Sequence, residues 1–194
     1  MPKSLQPYAA SVLLIVLMMS IMAGGHTVTD VLRFDRTLID QGEVWRLFTA
    51  HFVHLSWNHA LGNSAGLLLA NYIAGKSFQQ SGMACFFVFS ALFTGLCLWL
   101  FAGDLYRYVG LSGVLHGLLV WSMLRTPYYP SLIKALFVGV IIVKVIWEQT
   151  PFYNDLALQD IIGGRVEARA HLFGLLSVLV WWCFHFYFSR RGKA

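Results

Sequence analysis

Residues 110–117 read Gly-Leu-Ser-Gly-Val-Leu-His-Gly and lie at the start of an apolar stretch. Ser112 stands between Gly110 and Gly113, where a hydroxyl has no packing role that alanine would not fill at lower cost. A second apolar stretch contains a partner for such a serine, at residues 170–174, which read Ala-His-Leu-Phe-Gly. A serine and a histidine within apolar sequence indicate a nucleophile and its base.

The composition is typical of a protein that is embedded in a lipid bilayer. Only 12% of the 194 residues are charged, whereas 58% are hydrophobic. Soluble domains contain about 25% charged residues, so this chain lacks the side chains needed to cover a surface that faces water. We therefore expect an integral membrane protein with a single domain over residues 1–194.

Six apolar runs approach or exceed the length that crosses about 30 Å of hydrocarbon as a helix. They lie at residues 8–23, 57–75, 83–102, 109–124, 131–147 and 166–188. The runs are continuously apolar, whereas the strands of a membrane barrel alternate. The sequence predicts an all-α membrane protein with a bundle of six transmembrane helices.

Basic residues predict the orientation of this bundle, because they concentrate in cytoplasmic loops. If both termini are cytoplasmic, the inner segments contain no acidic residue and these basic ones: Lys3, Lys76, Arg125, Lys134, Arg190, Arg191 and Lys193. The net charge of +5 then reflects membrane orientation and gives no reason to expect a nucleic-acid partner. The first run could instead be a cleaved signal peptide, with Lys3 as its basic region.

Polar residues gather near the predicted outer ends of three helices: His59 and Asn63 on the second, Ser112 and His116 on the fourth, and His171 on the sixth. At a rise of about 1.5 Å per residue, they fall at similar depths below the outer surface. Polar groups inside a membrane are costly and usually functional. We therefore expect the three helices to form one site in the outer leaflet.

Small residues would allow the fourth and sixth helices to approach closely. Gly113 and Gly117 are four residues apart on one helix, and Ala170 and Gly174 repeat that spacing on the other. Such pairs let helix backbones pack tightly in lipid. Close packing would bring the serine hydroxyl within hydrogen-bond reach of the histidine.

Three motifs make the chain resemble the rhomboid family of intramembrane serine proteases over nearly its whole length. They are Gly-x-Ser-Gly at residues 110–113, Ala-His-x-x-Gly at 170–174, and Trp-Arg-x-x-Thr followed by His-x4-His-x3-Asn within 45–63. The resemblance implies a six-transmembrane-helix rhomboid-like bundle without metal or cofactor. It also implies that residues 27–57 form an interfacial loop between the first and second helices, half-submerged in the outer leaflet. It implies these site residues: Ser112 as nucleophile, His171 as base and acid, His59 and Asn63 as oxyanion donors, and Gly110 and Gly113 in support.

Within the family, the complete pattern of residues 110–117 resembles the rhombosortase branch. That resemblance implies an endopeptidase of the bacterial inner membrane, with its active site open to the periplasm. Its substrates would be exported single-pass proteins that end in a Gly-Gly motif, a membrane helix and a basic tail. His116, where many rhomboids have an aromatic residue, would either orient His171 or make an interhelical contact without effect on rate.

The sequence is also compatible with other functions. The chain could be a general rhomboid protease for other single-helix membrane proteins, a non-catalytic rhomboid-like protein that binds membrane helices, or a histidine-lined transporter or redox protein. A metal site is less favoured, because no His-Glu-x-x-His motif occurs. The site needs no carboxylate if packing and hydrogen bonds orient His171. Glu167 is predicted to be a solvated charge at the end of its helix, although it could instead orient the imidazole. Lys144 and Glu148 are predicted to form a local ion pair or to snorkel to the interface.

Overall fold

The computed structural model describes residues 8–75 and 81–191, and within them the chain is largely helical, as predicted. Helices α1 to α5 are Ala9–Ala23, Gly25–Leu32, Arg36–Asp40, Arg46–Thr49 and Trp57–Ala74, with a 3₁₀ turn at Ala50–Phe52. Helices α6 to α10 are Ser81–Phe101, Ser112–Arg125, Ser131–Glu148, Leu156–Ile162 and Ala168–Arg191. Strands β1 and β2 are Phe34–Asp35 and Arg107–Tyr108.

The long helices α1, α5, α6, α7, α8 and α10 lie at the six apolar runs, but α7 begins three residues later than the predicted start at 109. The cause is the backbone of Gly110, whose φ of +122° is incompatible with a helix. Tyr108 is also held in strand β2. Ser112 is therefore the first residue of α7.

The segment between α1 and α5 differs from the predicted loop. Residues 27–57 contain most of α2, the short helices α3 and α4, the 3₁₀ turn and strand β1. Strand β1 pairs with β2 in antiparallel fashion, so a two-residue ladder interrupts the predicted all-α chain. Arg36 fixes the segment to the end of α6, because its guanidinium donates to the carbonyl oxygens of Trp99 at 2.9 Å and Ala102 at 2.8 Å.

Helix α7 lies at the centre of the bundle, between α5 and α10. Ten of its 14 residues are buried. Its apolar side chains, among them Val114 and Leu118, share the main core with Leu67 of α5 and Val178 of α10. This central position places the amino-terminal end of α7 against two other helices at once.

The length and hydropathy of the described helices support only some of the six predicted membrane spans. Among the described residues, the stretch Gly82–Phe101 is long and apolar enough to cross a membrane, and α1 with α2 passes as a pair bent by 116°. Helix α7 has only 14 residues, and α8 contains three charged residues, Lys134, Lys144 and Glu148. The count of six spans therefore stays a prediction. Lys3, Lys76 and Lys193 of the predicted inner basic set lie outside the described residues.

Candidate active site

The two predicted catalytic side chains are in direct contact. Ser112 lies at the start of α7, and its Oγ is 2.9 Å from Nε2 of His171, on the first turn of α10. His171 is 5% exposed. The distance suits transfer of the serine proton to the imidazole, which is the step that activates a serine nucleophile.

Glycines make this contact possible by bringing the backbones of α7 and α10 together. A Cβ atom on Gly113 would lie 2.6 Å from the carbonyl oxygen of Ala170. One on Gly174 would overlap the carbonyl oxygen of Gly113, and one on Gly117 would overlap that of Gly174. The two helices therefore pack at a separation that only glycine allows at these positions.

Helix α5 supplies the predicted oxyanion donors on the other side of the serine. The hydroxyl of Ser56 caps this helix by accepting from the backbone N–H of His59 at 3.2 Å. The imidazole of His59 packs on Gly110, where a Cβ would come within 2.8 Å of the ring. Asn63 is 6% exposed, and its Nδ2 donates no hydrogen bond to any residue that the structure describes. That amide is a donor available to a ligand.

His54 supports the donor side from the loop before α5. Its ring meets that of His59 edge to face, with centroids 5.0 Å apart. Burial, together with the neighbouring His59, lowers the pKa of His54 to about 3. His54 is therefore neutral at physiological pH and adds no positive charge beside His59.

Sequence reasoning missed a carboxylate at the site. Glu148, the last residue of α8, places its Oε2 2.7 Å from Nδ1 of His171. Its Oε1 accepts from Lys144 at 2.5 Å, so the predicted local ion pair exists but accounts for only one of the two carboxylate oxygens. Glu167 instead pairs with Arg169, at 2.7 Å. The spacing of Lys144 and Glu148 was visible in the sequence, but the approach of α8 to α10 was not.

His116 lies beneath Ser112 and His171. Its ring stacks on that of His171, with centroids 4.1 Å apart and planes inclined by 25°. Its Nδ1 is 2.7 Å from the carbonyl oxygen of Ser112, and its Nε2 is 3.0 Å from the ammonium of Lys144. The contact between the two imidazoles is therefore direct, and the ring of His116 is fixed at both nitrogens.

One cavity connects all of these groups. It has a volume of about 1520 Å³, and its walls include Asn63, Ser112, Glu148 and His171.

Ligand atoms of His116, Glu148 and His171 also lie within 4.8 Å of one another, which is close enough to hold a metal ion. The ammonium of Lys144 already binds two of these three side chains, so a metal would have to compete with a bound cation.

Comparison with known proteins places the chain in a family. The model of the Rhomboid domain matches residues 41–188. Two proteins named rhomboid protease GlpG, from Klebsiella pneumoniae strain 342 and Salmonella newport, are 30% and 31% identical over 72% and 84% of this chain. These alignments cover 48% and 56% of the relatives, so the chain spans about half the length of the curated relatives it matches. Since the family model covers most of its length, the chain belongs to the rhomboid family.

Proposed function

We propose that this protein is an intramembrane serine endopeptidase in which Ser112 is the nucleophile and His171 the general base and acid. The observation that carries the proposal is the 2.9 Å contact between Ser112 Oγ and His171 Nε2 within a large cavity. The name rhomboid protease on the relatives supports the same activity. Because both residues are present and in contact, the helix-binding alternative has less support.

The chemistry follows from the positions of the donors. Nε2 of His171 accepts the Ser112 proton while Oγ attacks the carbonyl carbon of the scissile peptide bond. Negative charge develops on the carbonyl oxygen. The donors proposed for it are the amide of Asn63, the imidazole of His59 and the backbone N–H of Ser112, which belongs to the unbonded first turn of α7. His171 then gives its proton to the leaving amine, and water hydrolyses the acyl-enzyme.

The proposed substrates are exported single-pass proteins with a Gly-Gly motif, a membrane helix and a basic tail at the carboxy terminus. The pattern of residues 110–117 supports this choice by its resemblance to rhombosortases. The half-buried position of Ser112 also favours small side chains, because an extended strand has to reach it among packed helices. The site would open to the periplasmic face of the bacterial inner membrane, with both termini cytoplasmic.

Co-expression with a Gly-Gly-tailed exported protein tests the proposal. We expect tail removal by the wild type and by Ser131→Ala, a serine at the exposed start of α8. Ser112→Ala should leave the substrate intact and should not react with a fluorophosphonate probe. Normal processing by Ser112→Ala contradicts the enzymatic assignment. If a single-pass protein without the Gly-Gly motif is cleaved as well as the Gly-Gly-tailed substrate, the protease assignment holds but the proposed specificity for sorting tails is wrong.

Asn63→Ala is expected to lower kcat by about 10²–10³-fold, as loss of one oxyanion donor does elsewhere, with little change in KM. The reason is that the unpartnered amide of Asn63 would bond the substrate oxygen mainly when that oxygen is charged. Cleavage of a fluorogenic peptide in detergent measures both constants. Asn154→Ala, in the loop before α9, is the control and should match the wild type. A kcat within threefold of wild type for Asn63→Ala excludes this role.

A further inference from the structure

Glu148 is a buried carboxylate with both oxygens in use. Its side chain is 4% exposed. One oxygen faces Nδ1 of His171 at 2.7 Å, and the other faces the ammonium of Lys144 at 2.5 Å. Burying a carboxylate is costly unless it is paired and hydrogen-bonded, and here both conditions are met on the side of His171 opposite the serine.

The hydrogen bonds around Glu148 have a single consistent direction. Lys144 has only protons to give, so Oε1 of Glu148 and Nε2 of His116 both accept from it. His116 then carries its proton on Nδ1 and donates to the carbonyl of Ser112. If Glu148 is ionised, Nδ1 of His171 is the donor to it, which leaves Nε2 free to accept from the serine.

We propose that Glu148 is a positioning residue that completes a Ser112–His171–Glu148 triad, and that Lys144 holds the carboxylate in place. This inference rests on the proposed function of Ser112 and His171. The carboxylate selects the imidazole tautomer that accepts the serine proton, and it stabilises the imidazolium that forms after transfer. His116 supports the opposite side of the same ring through the stack at 4.1 Å.

The rival explanation is that Glu148 serves only as a counter-ion for Lys144. Lys144 has a second partner, because its ammonium also donates to Nε2 of His116 at 3.0 Å, and its side chain lines the cavity. The second oxygen of Glu148 also faces away from Lys144 toward His171. The carboxylate therefore serves the histidine as well as the lysine.

Glu148→Gln tests the triad. We expect kcat for peptide cleavage in detergent to fall by about 10⁴-fold, as it does when the triad carboxylate of a soluble serine protease is removed or neutralised. KM and the melting temperature should change little, since the amide keeps the size of the side chain. Asp160→Asn is the matched control, because it makes the same carboxylate-to-amide change at an exposed residue of α9 that does not line the cavity. It should keep wild-type kcat.

A double variant separates the triad from the counter-ion explanation. Lys144→Met combined with Glu148→Gln removes both members of the ion pair. If Glu148 only balances the lysine, this combination restores the activity that Glu148→Gln loses. If Glu148 positions His171, kcat of the double variant stays as low as that of Glu148→Gln. Restoration of kcat, or a kcat within threefold of wild type for Glu148→Gln, overturns the inference.

The same assay distinguishes a failure of the triad proposal from a failure of the protease proposal. Ser112→Ala and His171→Ala are measured beside Glu148→Gln in one assay. If the two alanine variants lose cleavage while Glu148→Gln keeps a normal kcat, the triad proposal is wrong and the protease proposal still holds. Normal cleavage in Ser112→Ala removes the protease itself, and with it the basis for any role of Glu148.

Discussion

His171→Ala should reduce turnover by about 10⁶-fold, the loss found when the base of a serine-histidine unit is removed. The physical reason is that Oγ of Ser112 lies 2.9 Å from Nε2 of His171, and the substitution removes this acceptor of the hydroxyl proton. The rate of fluorophosphonate labelling at Ser112 and the kcat for peptide cleavage, both in detergent, measure the effect.

The control for this prediction is the double variant Ser112→Ala/His171→Ala. Residues that act as a unit give non-additive losses, so the double variant should be no slower than either single one. Additive losses would mean that the two side chains act in separate steps. A His171→Ala enzyme that still labels at the wild-type rate would contradict the role of His171 as base.

Gly174→Ala should abolish cleavage and lower the melting temperature. Its Cβ would overlap the carbonyl oxygen of Gly113, an atom of the backbone that a side-chain rotation cannot move. Helices α7 and α10 then have to separate, and overpacking of this kind costs about 1–3 kcal/mol or more. Displacement of a reacting group by about 1 Å costs about 10²-fold in rate by itself.

Gly139→Ala is the matched control for this helix contact. Gly139 lies within α8, and a Cβ there meets nothing within 4 Å. Its activity should stay at the wild-type level, and its stability should be unchanged or higher because alanine favours a helix. Thermal unfolding in detergent and the cleavage assay give both readings. Wild-type activity in Gly174→Ala would show that α7 and α10 do not need this separation.

The partnership of Ser112 and His171 could be predicted from the sequence because two independent patterns agreed. The polar residues fell at one depth on separate apolar runs, and small residues at 113 and 174 marked the faces of two helices that could approach. In the structure these glycines meet backbone to backbone. Periodicity and residue size therefore carried enough information to pair the two side chains.

The role of Glu148 could not be predicted in the same way. A lysine four residues before a glutamate forms an ion pair on one face of a helix, and this local pair is a sufficient reason for the presence of both residues. The additional contact with His171 depends on how the end of α8 packs against α10, and these residues are 23 positions apart. No apolar period or small-residue pattern reports that approach. The short helices within residues 27–57 were missed for a related reason, since their order depends on contacts of Arg36 and Arg46 with distant carbonyl groups.

Gly110 connects Ser112, the proposed nucleophile, to a part of the molecule that is far from it in sequence. Its N–H donates to the carbonyl oxygen of Ala50 at 3.0 Å, and its own carbonyl accepts from the hydroxyl of Tyr108 at 2.7 Å. Strand β1 pairs with β2 directly before it. The segment that precedes α5 thus anchors the backbone beside Ser112. Substitutions there are expected to reduce the proposed cleavage by misaligning the serine, although they do not contact a substrate.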